Sequence, residues 1–174
     1  NVISGTPTND DVSIFENIEI VAFDGESTAN AFISITVLNT NDDPSITGVP
    51  NTTVAQNDNY LFSPSATDVD ATDVLTFSAL NLPTWLAVST ENGTVSGIPS
   101  NDDVGEFNNI VLSVNDGNGG VVSLATFNIT VTNVNDAPTI TGTPIISVNE
   151  DSSYSFVPVG DDIDIGDTLV YSID

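Results

Sequence analysis

Apolar residues along this chain fall in short alternating runs, and no window of useful length shows the ~3.6-residue period of a helix. Ile110, Leu112 and Val114 share one side of a run, and Phe127, Ile129 and Val131 share one side of another. Tyr60 with Phe62, and Leu75 with Phe77, repeat the alternation. A period of two puts successive side chains on opposite faces of an extended segment, so each run predicts a strand with one buried face. Clusters of Gly, Pro, Asn and Asp separate the runs. Asp116-Gly117-Asn118-Gly119-Gly120 supplies the positive φ angles that a hairpin turn needs, and Asn92-Gly93 marks a second tight turn. Thr, Val and Ile are abundant, which suits a pleated, half-buried surface. The pattern predicts an all-β chain, built as a sandwich of antiparallel strands, with no helix beyond a turn or two.

The same pattern occurs more than once. Gly5-Thr6-Pro7-Thr8-Asn9-Asp10-Asp11-Val12 returns 92 residues later as Gly97-Ile98-Pro99-Ser100-Asn101-Asp102-Asp103-Val104, and Asp24-Gly25 returns as Asp116-Gly117. Asn39-Thr40-Asn41-Asp42-Asp43-Pro44 returns 94 residues later as Asn133-Val134-Asn135-Asp136-Ala137-Pro138. Tyr60 and Phe62 match Tyr154 and Phe156, while Asp68, Asp70 and Asp73 match Asp162, Asp164 and Asp167. A fixed long period marks a structural unit used in tandem. With the Asn-x-Asn-Asp-x-Pro segments as linkers, residues 1–43 are the C-terminal half of one repeat, 44–137 a complete repeat and 138–174 the N-terminal half of the next. Chain ends that fall inside a repeat lead us to expect neighbouring repeats as partners, in the same chain or in identical subunits joined head to tail as a filament.

Charge narrows the function. The 174 residues include 25 Asp and Glu and no Lys, Arg or His. No side-chain cation can pair with any of these acids, so solvent ions or bound metal must relieve their repulsion. Nucleic acid is not an expected partner, because phosphate contacts rest on Lys and Arg. Anionic lipid fails for the same reason. No run approaches the ~18 apolar residues of a membrane helix, and no basic segment opens the chain, so any secretion signal or anchor is expected outside this segment. Without Cys there is no disulfide framework. Without His, Cys or Lys a nucleophile lacks its usual activating base. A carboxylate pair of the glycosidase kind is compatible with the composition, but acid pairs that recur at a fixed period fit mechanics better than a unique active site. The chain is expected not to be an enzyme.

Leu82-Pro83-Thr84-Trp85-Leu86, followed by Gly93-Thr94-Val95-Ser96-Gly97-Ile98-Pro99, carries a family resemblance, as does the closing run Phe127-Asn128-Ile129-Thr130-Val131-Thr132-Asn133-Val134-Asn135-Asp136-Ala137-Pro138. The chain resembles, over its whole length, the bacterial cadherin-like repeats of large surface adhesins, of the dystroglycan-type cadherin and Ig-like kinds. The resemblance implies tandem Greek-key β-sandwich domains of cadherin/Ig-like type, an extracellular location at the cell surface, and a stalk or filament segment stiffened by Ca2+ in cell adhesion.

Calcium takes about six to eight oxygen ligands from carboxylates, amides, backbone carbonyls and water. At the first junction Asn39, Asn41 and Asp42 offer linker oxygens, and Asp68, Asp70 and Asp73 follow on a short loop. Asp68 and Asp70, two apart on an extended segment, point to the same side. Analogy with cadherins adds Asp116 here, and Asp10 or Asp11 from the preceding repeat. The second junction repeats the set with Asn133, Asn135, Asp136, Asp162, Asp164 and Asp167, joined by Asp102 or Asp103. Asn39 and Asn133 stand where cadherins favour Asp, and Asn-Asp-Asp replaces their Asp-Arg-Glu motif. With fewer charges, the expected affinity is in the extracellular range, roughly 10⁻⁵ to 10⁻³ M. Gln56 stands where the next repeat has Glu150, so the two sites are expected to differ.

Two rival roles follow from the same residues. A carbohydrate-binding module appended to a secreted polysaccharide-active protein would need an exposed aromatic platform, for which Trp85, Tyr60, Tyr154 and Tyr171 are the candidates. Pro83 and Leu86 beside Trp85 point instead to a core plug. The other rival is a fragment of a multidomain glycosidase.

Overall fold

The computed structural model describes residues 2–173. The strands in chain order are β1 (Ser13–Phe23), β2 (Thr28–Val37), β3 (Ser45–Thr47), β4 (Thr53–Ala55), β5 (Tyr60–Phe62), β6 (Ser65–Thr67), β7 (Thr76–Leu80), β8 (Leu86–Val88), β9 (Val95–Gly97), β10 (Gly105–Asn115), β11 (Val121–Ser123), β12 (Phe127–Thr132), β13 (Thr139–Thr141) and β14 (Val159–Asp161). Helical structure among the described residues is limited to two 3-10 turns, Asn9–Asp11 and Asn101–Asp103.

The central strands form a β-sandwich. In one layer β10 is the hub: β7 pairs with it antiparallel, as do β11 and β12, and β4 joins β12 in parallel. The facing layer is β5-β9-β8, with the β3–β6 pair beside it. The alternation read from the sequence is what fills the space between. Tyr60, Phe62, Leu86 and Val95 from the small sheet meet Ile110, Leu112, Phe127 and Ile129 from the large one. Ile110, Leu112 and Ile129 have no exposed surface at all. Burying side chains of this size is worth about 1.5–3 kcal/mol each, and it supplies cohesion in a chain with no disulfide. Trp85 packs edge-on against Tyr60 at 6.0 Å and against Phe107 at 5.9 Å. It is partly buried and packs against the core, in the direction its neighbours in sequence indicate.

The sequence repeat is also a repeat of register. In β1–β2, Phe15 faces Ile35 and Ile18 faces Ile33, with a bulge between. In β10–β12, Phe107 faces Ile129 and Ile110 faces Phe127, with the bulge at the same place. Asn17 and Asn109 occupy the bulges with φ of 59° and 61°, a left-handed conformation that Asn tolerates better than most side chains. The short pairs β3–β6 and β13–β14 match in the same way. Each follows its linker and reaches a glycine, Gly48 or Gly142, where a Cβ would lie 2.9 Å from the ring of Phe62 or Phe156.

One expected match differs. Tyr60 and Phe62 are buried in a strand, whereas Tyr154 and Phe156 are 49% and 39% exposed and lie outside regular structure. β5 is held by β9, and the 154–156 segment has no partner strand among the described residues. Phe15, Ile33 and Ile35 on the β1–β2 hairpin are likewise exposed.

Candidate metal centre

Each linker is tied to the acidic loop that follows it. At the first junction the main-chain N–H of Asp42 donates to Asp70 Oδ2 at 2.8 Å, and the N–H of Asp70 donates to Asp68 Oδ1 at 2.9 Å. Asp73 N–H donates to the Asp70 carbonyl at 3.0 Å, closing the loop, and Asn118 Nδ2 donates to Asp73 Oδ1 at 2.8 Å. Each of these three carboxylates thus has one oxygen engaged. The others, Asp68 Oδ2, Asp70 Oδ1 and Asp73 Oδ2, are buried and have no hydrogen-bond partner among the described residues. Ligand oxygens of the three residues lie within 4.8 Å of one another.

Asp116, expected to join these acids, is not among the three that come together, and both of its carboxylate oxygens are engaged. Its Oδ1 accepts the N–H groups of Asn118, Gly119 and Gly120 at 2.7–3.0 Å, and Asn41 Nδ2 donates to its Oδ2 at 2.9 Å. The Asn41 bond, followed by those N–H groups, holds the Asp116 carboxyl below the usual carboxylate range against the opposing effect of burial. The hairpin turn therefore grips its own Asp and, through Asn41, the linker. A Cβ on Gly120 would meet Asp116, Asp43 Oδ1 and Pro44 at 2.8 Å or closer. Asp24, the matching turn residue, accepts Glu26 and Ser27 N–H groups, which lower its pKa in that order.

The second junction is built alike. Asp136 N–H donates to Asp164 Oδ2 at 2.6 Å, and Asp164 N–H donates to Asp162 Oδ1 at 3.0 Å. Asp162, Asp164 and Asp167 bring ligand oxygens within 4.8 Å of one another, and Asp164 Oδ1 is buried without a partner among the described residues. Asn135 Nδ2 turns back to the Asp136 carbonyl, as Asn41 Nδ2 does to that of Asp42.

The structure separates the remaining candidates. Asn39 and Asn133 are exposed, and so are Asp10 and Asp102. Asp11 and Asp103 turn back on their own 3-10 turns: Asp11 Oδ2 accepts Thr8 N–H and Oγ1–H, and Asp103 Oδ2 accepts Ser100 N–H and Oγ–H. The Thr8 bonds hold the Asp11 carboxyl low. It is the first residue of each turn that reaches across. Asn9 Nδ2 donates to Asp42 Oδ2, and Asn101 Nδ2 donates to the Ile163 carbonyl, both at 2.8 Å. Gln56, the position that differs from Glu150 of the next repeat, is 2% exposed and also reaches the linker: its Nε2 donates to the Val134 carbonyl and to Asp136 Oδ2.

The model of the family described as "Putative Ig domain" matches residues 43–132, more than half of the chain. The chain belongs to this Ig-domain family. Among solved structures, protocadherin gammaB7 in an EC3-6 cis-dimer is similar over 95% of the chain with a TM-score of 0.54 and 17% identity, which places the Ig-type sandwich in the same fold. The SrpA adhesin of Streptococcus sanguinis aligns over 65% of the chain and 71% of its own length, with a TM-score of 0.45 and 19% identity. An endo-fucoidan hydrolase of glycoside hydrolase family 107 aligns over 75%, with a TM-score of 0.40 and 26% identity. The chain spans 46% of the protocadherin and 20% of the hydrolase. No curated protein matches it.

The donor set around the Ig domain fits a hard divalent cation. Its atoms are carboxylate and amide oxygens, with neither sulfur nor imidazole in the chain to favour softer metals. Two like charges about 5 Å apart repel by about 3 kcal/mol at an effective dielectric of 20, and the chain has no side-chain cation to offset this. A divalent ion would satisfy the unpartnered oxygens and the charge together. Among the described residues no helix is long and apolar enough to cross a membrane.

Proposed function

We propose that the chain is a calcium-rigidified segment of an extracellular stalk or surface fibre that serves adhesion. Residues 44–137 form a complete repeat, with 1–43 ending the repeat before it and 138–174 beginning the one after. Its partners are calcium ions and neighbouring repeats, and its work is mechanical.

The observation that supports this most directly is the division of labour within each acidic loop. One oxygen of Asp70 or Asp164 holds the linker N–H, and the other is buried without a partner. An ion bound there would draw together the loop and the linker tied to it, fixing the angle at which one sandwich follows the next. In the absence of the ion, the like charges push those parts away from one another. The carbohydrate-binding reading loses support from the packing of Trp85 against Tyr60 and Phe107.

Melting the chain in millimolar calcium and again in chelator, alongside small-angle scattering for its length, tests the proposal. A raised Tm and a longer, stiffer particle with calcium are expected. Identical Tm and dimensions in both conditions would remove it.

A further inference from the structure

We propose that Gln56 and Asn101 are neutral ligands of the second-junction ion, each tying the junction through its amide nitrogen and binding the metal through its amide oxygen. The inference rests on the calcium reading above and goes beyond it in naming two amides rather than acids.

Gln56 Nε2 donates to the Val134 carbonyl at 3.2 Å and to Asp136 Oδ2 at 3.0 Å, so the side chain grips the linker from the sandwich that precedes it. Its Oε1 is buried with no donor in reach among the described residues, in a residue only 2% exposed. Asn101 Nδ2 donates to Ile163 O, inside the acidic loop, at 2.8 Å, and its Oδ1 is also buried and unpartnered. Ile163 lies between Asp162 and Asp164, and Asp164 carries the third unpartnered oxygen of this junction. Buried polar atoms almost always find partners. A metal ion, as an electron-pair acceptor, would satisfy the unpartnered oxygens that Gln56, Asn101 and Asp164 bring to this junction.

An amide suits both tasks at once, since its NH2 donates while its carbonyl accepts a metal. A carboxylate in either position would lose every bond the nitrogen makes. It would also add charge to a junction that already carries Asp136, Asp162, Asp164 and Asp167. With amides in place, the hydrogen-bonded half of the junction forms before the ion arrives, and the ligand count rises without further repulsion.

Calorimetric titration of the full chain with calcium chloride, together with melting in chelator, tests this. Gln56→Met and Asn101→Leu should each weaken one class of site about tenfold while the other class is unchanged. Gln56→Glu keeps an oxygen but loses the N–H bonds. It should lower Tm in chelator, bind calcium more tightly and show a larger calcium-induced rise. Asp164→Asn serves as the positive control. If it weakens binding while Gln56→Met and Asn101→Leu leave the isotherm unaltered, the amide assignment is overturned and the calcium reading stands. No calcium binding by the unaltered chain overturns both.

Discussion

Asp136 and Asp164 meet across the second linker, the main-chain N–H of the first donating to the carboxylate of the second at 2.6 Å. Asp42 and Asp70 make the same bond at 2.8 Å. In each pair a linker residue is held by an acid 28 positions further on, and the second oxygen of that acid has no hydrogen-bond partner among the described residues. Such a carboxylate already points at its neighbours before any cation is present.

Replacing that acid with its amide separates charge from shape. Asp70→Asn and Asp164→Asn keep an oxygen for the linker N–H and remove one of the crowded negative charges. In chelator each should stabilise the chain by about 1 kcal/mol, a rise of about 2–4 °C in Tm for a chain of this size. In calcium each should lose part of the metal-dependent gain. Calorimetric melting of both variants in the two buffers measures the difference. A fall in Tm in chelator would mean that repulsion at the cluster is already relieved.

Acid acts on the turn that holds Asp116. Its folded pKa is depressed, first by Asn41 and then by the turn N–H groups. A depressed carboxyl contributes stability that is present above the unfolded pKa, near 4, and is lost as pH falls through the lower, folded value. Asn41→Leu should raise the Asp116 pKa, so that the contribution becomes smaller and is fully lost at a higher pH. Following the Asp116 carboxyl resonance against pH reads it directly. An unmoved titration would assign the depression to the turn alone.

Gly120 is buried where the hairpin turn, Asp43 and Pro44 converge, with no room for a Cβ. Gly120→Ala should cost about 1–3 kcal/mol by forcing the linker away from the sandwich. Urea unfolding measures the cost. Gly117→Ala is the comparison: nothing lies near its absent Cβ, and the expected loss comes from its φ of 84° alone.

Trp85→Ala should remove about 3 kcal/mol through the space it leaves between Tyr60 and Phe107. Native electrophoresis in polysaccharide gels should show the same mobility for the variant and the unaltered chain. Retardation of the unaltered chain that the variant lacks would return Trp85 to a sugar-binding role.

The sandwich was legible because burial on one face enforces a period of two, and Ile110, Leu112 and Val114 obey it without exception. The acidic loops were legible because Asp68, Asp70 and Asp73 recur at a constant distance from a recurring linker. What each preceding unit contributes was harder to read. In Ser100-Asn101-Asp102-Asp103 the charged residues draw attention, yet Asp103 is committed to capping its own turn and the neutral Asn101 crosses the junction. A Ser or Thr followed three positions later by an acid is a recognised capping pattern, and it would have set Asp11 and Asp103 aside. Gln56 stood out only as a difference from Glu150. Its role depends on β4 running parallel to β12, a pairing between residues far apart in sequence.

Asp136 is gripped from both directions, its side chain by Gln56 and its backbone by Asp164. A residue added to an extended chain advances it by roughly 3.3–3.6 Å, more than either hold can stretch. Insertion or loss of a single codon beside Asp136 would break the mesh between units, while the tip of the hairpin at Gly25 has open space around it. Genes that lengthen such a chain by duplication are thus confined to whole multiples of their own period, and variation in length should collect at the tips.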